Sequence, residues 1–179
     1  MNSKFDRQQE LEDELIRIIP LKAEHFEALY EVASDPLIWE QHPNKDRYRR
    51  DVFETFFEGA LVSEGAYLVL DKKTGEFIGS SRYYDLDEEQ GVVAIGYTFI
   101  ARKFWGQNYN PALKRLMINY AFKYLNSVIF HVGSQNLRSQ KAVERLGANK
   151  IGEQEVAYYR EPIKLNYIYQ LTKPDWISR

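Results

Sequence analysis

Residues 92–122 read VVAIGYTFIARKFWGQNYNPALKRLMINYAF. The β-branched and aromatic run at its start predicts a strand over 92–100. A polar turn with one glycine follows at 106–110, and an amphipathic helix opens at Pro111. Proline suits the first helical position because the amide it lacks would have no intrahelical acceptor, and Asn110 before it is a good N-cap. Strand, tight turn and helix N-terminus in that order make an anion site, since the first amides of a helix are unpaired and its dipole is positive there. The stretch predicts a site for the phosphates of a nucleotide-like cofactor, held by backbone amides over residues 107–112.

The pattern extends outward in both directions. Upstream, a strand reads at 15–21 and a helix at 23–34, stopped by Asp35-Pro36. A loop carries Trp39, His42, Pro43 and Asn44. A second helix runs over 47–63 with Phe53, Phe56, Phe57 and Ala60 on one face. Strands at 66–70 and 76–84 flank a Lys-Lys-Thr-Gly turn, and 85–91 is an acidic turn. Downstream, the Pro111 helix buries Leu113, Leu116, Met117, Tyr120 and Ala121. VIFHVG at 128–133 reads as a strand buried on both faces. A helix over 136–146 stops at Gly147, and 151–159 with 163–171 form a last strand pair. Residues 1–13 are polar and expected to be a flexible lead. The order β-α-α-β-β-β-α-β-α-β-β predicts a single α/β (mixed α+β) domain over 1–179. It has a mixed, mostly antiparallel sheet of about seven strands flanked on both faces by about four helices.

Composition narrows the chemistry. A net charge of −2 gives no basic footprint for nucleic acid. The chain has no Cys, so disulfides, thiolate metal sites and acyl-cysteine intermediates are excluded. Three scattered His have no metal-ligand spacing, so no metal site is expected. No apolar run is long enough for a bilayer and the charged N-terminus is unlike a signal peptide, so a cytoplasmic location without membrane contact is the expectation. Aromatics reach 15% with 13 Tyr, which suits an aromatic cleft and a large sheet core equally.

Two segments taken together, WGQNYNPA (105–112) and QNLRSQKAVERLGA (135–148), resemble the GNAT superfamily of acetyl-CoA-dependent N-acetyltransferases. They are most similar to the branch of the ribosomal-protein N-terminal acetyltransferases. The resemblance covers nearly the whole chain in element order. In that branch the phosphate turn commonly reads W-G-K-G-Y-A. Here Asn108 replaces the loop glycine, and Asn is the residue after glycine best able to hold a positive φ. The resemblance implies acetyl-CoA as co-substrate, bound by Trp105, Gly106, Gln107, Asn108, Tyr109, Asn110, Pro111 and Ala112. Lys114, one turn into the helix, stands in for the missing turn lysine and can approach a phosphate. Asn136 would hydrogen-bond the pantetheine arm. The 92–100 strand would splay from its neighbour so that Thr98, Phe99 and Ile100 pair with pantetheine amides.

The implied reaction is direct acetyl transfer to a primary amine of a protein N-terminus, peptide or small molecule in a ternary complex. It needs a neutral amine, a stabilised thioester oxygen and a proton for the departing thiolate. The tyrosine that many relatives use as acid is Val143 here, and Ser139 takes its place as the candidate catalytic group. Asn136 and Ser139 also read as an N-cap and an ordinary first-turn residue. The strand glutamate that related enzymes use as base is Ala94. Asp85, Glu88, His42 or a water chain remain as bases. Trp39, His42, Arg47, Tyr48 and Tyr84 are the candidate acceptor contacts, with Arg47 fixing an acceptor anion, although its charged flank favours a solvated helix start. Tyr83, Tyr158 and Tyr159 share these choices between acceptor side and sheet packing. His131 reads as a satisfied core residue. A homodimer through the C-terminal strands is a further expectation of the resemblance. The competing reading is a non-catalytic CoA-binding or interaction module of the same fold. A P-loop NTPase and a dinucleotide-binding fold lack their motifs.

Overall fold

The computed structural model describes residues 4–179. Its elements run β1 (Leu11–Glu12), β2 (Ile16–Pro20), α1 (Phe26–Ala33), α2 (Arg50–Val62), β3 (Ala66–Asp71), β4 (Phe77–Asp87) and β5 (Val92–Ile100). They continue with α3 (Tyr109–Ala121), β6 (Ser127–Gly133), α4 (Leu137–Arg145), β7 (Asn149–Ala157), β8 (Ile163–Thr172) and α5 (Lys173–Ile177). One sheet takes the strands in the order β1-β2-β3-β4-β5-β6-β8-β7. Among the described residues only β5 and β6 pair in parallel, as the α3 crossover between them requires. This is the mixed, mostly antiparallel α/β architecture the sequence predicts, with β1 and α5 added.

Each face of the sheet carries its own apolar layer. Leu113, Met117, Ile118 and Ala121 of α3 and Val143 of α4 pack over Val93, Ile95 and Phe130. On the other face, Leu29 of α1 and Phe53, Phe56 and Phe57 of α2 pack over Leu68 and Phe99. The spacing of these apolar positions gives each helix one buried face, which supplies most of its stability.

Of the expected flexible lead, residues 4–13 are part of the fold, and residues 1–3 lie outside the described residues. Phe5 is buried, with its ring 5.0 Å from Tyr83 and 5.4 Å from Tyr120, and Leu11–Glu12 pairs with β2. One aromatic in a polar run is enough, because burying a Phe side chain gains about 1.5–3 kcal/mol. The acidic turn also shortens, since β4 continues to Asp87. At the C-terminus, Thr172 caps α5 by accepting from the Asp175 amide, and Trp176 donates to Asn119 of α3 at 2.7 Å.

The feature that positions the site is a fork. β6 pairs with β8 along its whole length, Ser127 to Gly133, yet with β5 only over Val92–Ala94. From Ile95 onward β5 leaves β6. The departure coincides with a bulge: Tyr97 has φ +53°, and the β4–β5 register shifts between Ser80 and Arg82. Gly96 sits under the Tyr84 ring, where an added Cβ would meet ring atoms at 3.1 Å.

Candidate active site at the fork

The turn from β5 into α3 is open. Gly106 has φ +72° and Asn108 φ +67°, so Asn108 does hold the left-handed geometry expected where relatives carry glycine. The helix starts at Tyr109, two residues before the predicted Pro111. Asn110 is therefore inside the first turn and not its cap, and its side-chain oxygen is buried without a partner. Pro111 is still tolerated, because a first-turn amide has no intrahelical acceptor. The amides of Gly106, Gln107, Asn108, Tyr109 and Asn110 make no hydrogen bond of good geometry to another described residue. Two expected donors drop out. Pro111 has no N–H, and the Ala112 amide closes the helix on Asn108 O at 2.9 Å. Side chains hold the turn in place. The Trp105 indole donates to Ile100 O at 2.8 Å, the Tyr109 hydroxyl to Asp71 at 2.9 Å, and Gln107 Nε2 to Lys103 O.

Beyond the fork, alternation decides which backbone of β5 is free. Ala101 N donates to Ile78 O, so alternate residues face β4. Thr98 and Ile100 turn their backbone groups away from β4 into the fork. Phe99 does not: its backbone faces β4 and its side chain lies in the α1–α2 core. Lys114 also departs from expectation. It is buried, and its Nζ donates to Thr98 Oγ1 at 2.6 Å, which in turn lies 2.8 Å from Ser81 Oγ. Burial without a carboxylate pushes its pKa down to about 7. A side chain one turn into a helix reaches inward to the sheet, and this one does so instead of reaching the phosphate turn.

The turn from β6 into α4 is closed. Asn136 Oδ1 accepts from the Ser139 amide at 3.1 Å, Arg138 N donates to Gln41 Oε1 at 3.0 Å, and Leu137 N donates to Gln135 O. Asn136 is thus the N-cap, and its Nδ2 makes no hydrogen bond to a described residue. The Ser139 hydroxyl likewise has no partner among the described residues, and the side chain is half-buried. Arg138 joins the two turns, with its guanidinium 4.2 Å from the Trp105 ring centroid.

On the α1–α2 face, beside the fork, several side chains converge. Tyr84 packs edge-on to Tyr97 (5.0 Å) and to His131 (5.7 Å). His131 is not a satisfied core residue: its Nδ1 is buried without a partner, and burial lowers its pKa. Trp39 is fully buried and donates to Ala33 O, so it anchors the loop and does not face an acceptor. His42 packs edge-on to Trp39 at 4.9 Å. Burial, with Arg47 and Arg138 nearby, drives its pKa to about 3, so it is a neutral and very weak base. Tyr48 packs at the edge of the α1–α2 core and gives its carbonyl to the Tyr30 hydroxyl.

Arg47 is not on a solvated helix start. It is 2% exposed and forms a two-pronged ion pair with Glu161 at 3.0 and 2.8 Å. Tyr158 lies beside it and donates to Asn166 at 2.6 Å. Tyr83 belongs to the opposite core, donating to Met117 O, and Tyr159 packs on Gly59. Glu88 lines a depression with Phe5 and Arg7, remote from the fork, while Asp85 is exposed on the His131 side.

Sequence reasoning missed Arg82 on β4. It is 4% exposed, its guanidinium is 3.8 Å from the Tyr97 ring, and its Nε is buried without a partner. A lone arginine in a strand reads as solvent-facing, and no signal in the sequence marks this one as buried.

Among the described residues no group of His, Cys, Asp and Glu is placed to hold a metal, and no helix is long and apolar enough to cross a membrane. Residues 16–149 match the acetyltransferase (GNAT) domain. An uncharacterized N-acetyltransferase p20 of Bacillus licheniformis is 27% identical over 106 residues, 58% of this chain and 59% of that one. The chain spans about half the length of the curated relatives it matches. Among solved structures, a GCN5-related N-acetyltransferase from Brucella melitensis superposes with TM-score 0.81 at 19% identity, covering 95% of this chain and 81% of that one. Mycobacterium smegmatis RimJ in complex with CoA-disulfide does so with TM-score 0.69 at 13% identity, covering 93% and 87%. These two likenesses concern the fold. With three quarters of its length inside the domain match, the chain belongs to the GNAT family of acetyltransferases.

Proposed function

We propose that the protein transfers an acetyl group from acetyl-CoA to a primary amine, directly and in a ternary complex. The observation that carries this is the fork with five unpaired amides at its mouth. In this reading the pyrophosphate lies over the amides of residues 106–110, which have no acceptor among the described residues. The pantetheine arm pairs with the backbone of Thr98 and with the Ile100 amide, whose carbonyl already accepts from the Trp105 indole, and accepts from Asn136 Nδ2. The amine enters from the α1–α2 face, past Tyr84 and Tyr97. Its lone pair attacks the thioester carbon, the C–S bond breaks, and the sulfur takes a proton from the Ser139 hydroxyl, which is reprotonated from water. The proton shed by the new amide goes to His131, directly or through water. A depressed pKa keeps His131 neutral at pH 7, as a proton acceptor must be. A homodimer would use the open edge of β7 and its hairpin with β8, where Ile151 of β7 and Ile163 and Leu165 of β8 are exposed, and light scattering reads it.

Thermal shift with acetyl-CoA, CoA and ATP, followed by an amine panel, tests the reading. A ligand at 100 times its Kd stabilises the native state by about 2.7 kcal/mol. Acetyl-CoA and CoA should raise the Tm and ATP should not, because ATP has no pantetheine for Thr98, Ile100 and Asn136. No shift at saturating acetyl-CoA would remove the proposal. Binding without acetylation of any amine would favour the non-catalytic module instead.

A further inference from the structure

Beside the fork, two buried guanidiniums and one buried carboxylate cluster together. Arg47 lies 4.8 Å from the Phe56 ring centroid, 5.7 Å from Trp39 and 5.8 Å from Tyr158. Both oxygens of Glu161 are taken by Arg47, one by Nε and one by Nη2. Arg82 has no carboxylate within 4.0 Å among the described residues. Its guanidinium lies 3.8 Å from the Tyr97 ring centroid and 5.5 Å from that of Phe56, with no hydrogen-bond partner for Nε among the described residues. Burial and the neighbouring Arg47 lower its pKa to about 10, so Arg82 stays charged and the three side chains keep one net positive charge at pH 7.

A buried, unpaired guanidinium is costly, and an unsatisfied buried donor in a native fold calls for a partner that the chain itself does not supply. The location says what that partner is attached to. Arg82 pairs with Gly96 across the β4–β5 ladder, one residue from the Tyr97 bulge where β5 leaves β6. On the acetyl-transfer reading, this is where the acceptor amine must arrive. One net positive charge matches one carboxylate, whereas a phosphate dianion would leave the cluster negative. The planar fork of arginine also fits a carboxylate with two parallel hydrogen bonds. We infer that Arg82, supported by Arg47, binds the carboxylate of the acceptor, and hence that the acceptor is an amino acid or a similarly short amino-carboxylate. The inference rests on the acetyl-transfer reading for the identity of the ligand, but not for the presence of an anion site.

Calorimetric titration with matched pairs tests it, with and without saturating CoA. Phenylalanine, leucine and serine are each compared with their carboxamides, and phosphoethanolamine with ethanolamine. Wild type should bind at least one acid about tenfold or more tightly than its amide, as expected for a charge-assisted contact. In Arg82→Gln that ratio should fall to about one. Glu161→Gln frees Arg47, adds a net positive charge and should tighten acid binding; a merely structural pair would give weaker binding or none. If Arg82→Gln does not fold, Arg82→Lys and Glu161→Gln carry the test.

Equal affinity for acid and amide in every pair, no binding of any acid, a parallel loss of both in Arg82→Gln, or a preference for phosphoethanolamine over all acids would each overturn the inference. Failure here is separable from failure of the acetyltransferase reading. Acetylation of neutral amines with no acid preference sinks only the carboxylate site. Arg82-dependent acid binding without any acetyl-CoA binding sinks only the reaction.

Discussion

β5 and β6 both end in a short turn that feeds a helix, and both turns stand at the mouth of the same fork. At α3, the turn carries two left-handed residues, Gly106 and Asn108, and five successive amides have no acceptor among the described residues. At α4, Asn136, Gln41 and Gln135 take the first amides, and what remains free is the Asn136 Nδ2 and the Ser139 hydroxyl. The same supersecondary unit thus yields two different tools. An open helix end offers a broad positive potential, suited to phosphates. A capped one has spent that potential on its own stability and offers single, directed side-chain donors, suited to an amide carbonyl and a departing sulfur.

The sharpest way to break this contrast is at the side chain the closed turn leaves free. Ser139→Ala should lower kcat by about 10²-fold or more if the hydroxyl protonates the thiolate. The Tm should not move, since the hydroxyl has no partner among the described residues. Steady-state kinetics on an accepted amine beside a melting curve reads both. An unchanged kcat would return Ser139 to the role of a first-turn residue.

Next is the open turn. Asn108→Asp keeps a residue that tolerates φ +67° but sets a carboxylate among the five amides. CoA affinity should fall about 100-fold through like-charge repulsion with the pyrophosphate, with stability close to wild type. Titration with CoA measures it. Near-wild-type affinity would show that the phosphates bind elsewhere.

The two turns also differ in how far they were legible from sequence. The strand over 92–100 was read to the residue, because β-branched and aromatic propensity, burial and the following turn all agree there. The start of α3 was misplaced by two residues, because Asn110 and Pro111 carry the usual signals of a helix start and the left-handed backbone of Asn108 carries none. Phe5, Arg82 and Glu161 were invisible for a different reason. Each takes its meaning from a partner far along the chain, as Glu161 does from Arg47, 114 residues away. His131 was misjudged because composition tells that a histidine is buried but not that one of its nitrogens lacks a partner.

Lys114 sharpens the comparison by asking whether the open turn needs a side-chain cation. Its folded pKa is depressed to about 7 from 10.5, so between those values the unfolded chain holds a proton that the native state has released. Stability should therefore rise with pH across that window and be lost as pH falls toward 7, by on the order of a few kcal/mol. Lys114→Met should flatten the slope and raise stability at pH 7 by about 1–4 kcal/mol, because an unpaired buried charge gives way to an apolar chain of similar length. Since the ammonium faces Thr98 and not the turn, CoA affinity should change less than about threefold, an interaction far weaker than a direct phosphate contact. Urea unfolding at pH 7 and 9.5, with CoA titration, separates the effects. A large loss of CoA affinity would show that Lys114 swings to the phosphates on binding.

The smallest expected effect is the most specific one. Asn136→Asp repeats the Asn108→Asp exchange at the closed turn. A carboxylate is as good an N-cap as an amide, and it sits favourably at a helix N-terminus, so the bond to the Ser139 amide survives and stability stays within about 0.5 kcal/mol. What disappears is Nδ2, the donor that the cap does not use. CoA affinity should then fall about tenfold, the worth of one hydrogen bond and the exposure of its partner, against about 100-fold at Asn108. Pantetheine itself, which has no pyrophosphate, discriminates further. Its inhibition of the reaction should weaken in Asn136→Asp and be unaffected in Asn108→Asp, because in the proposed binding mode only the first residue faces the arm and only the second faces the phosphates. Equal responses of the two variants to CoA and to pantetheine would mean that both turns serve the ligand through charge alone, and the division of labour between them would fail.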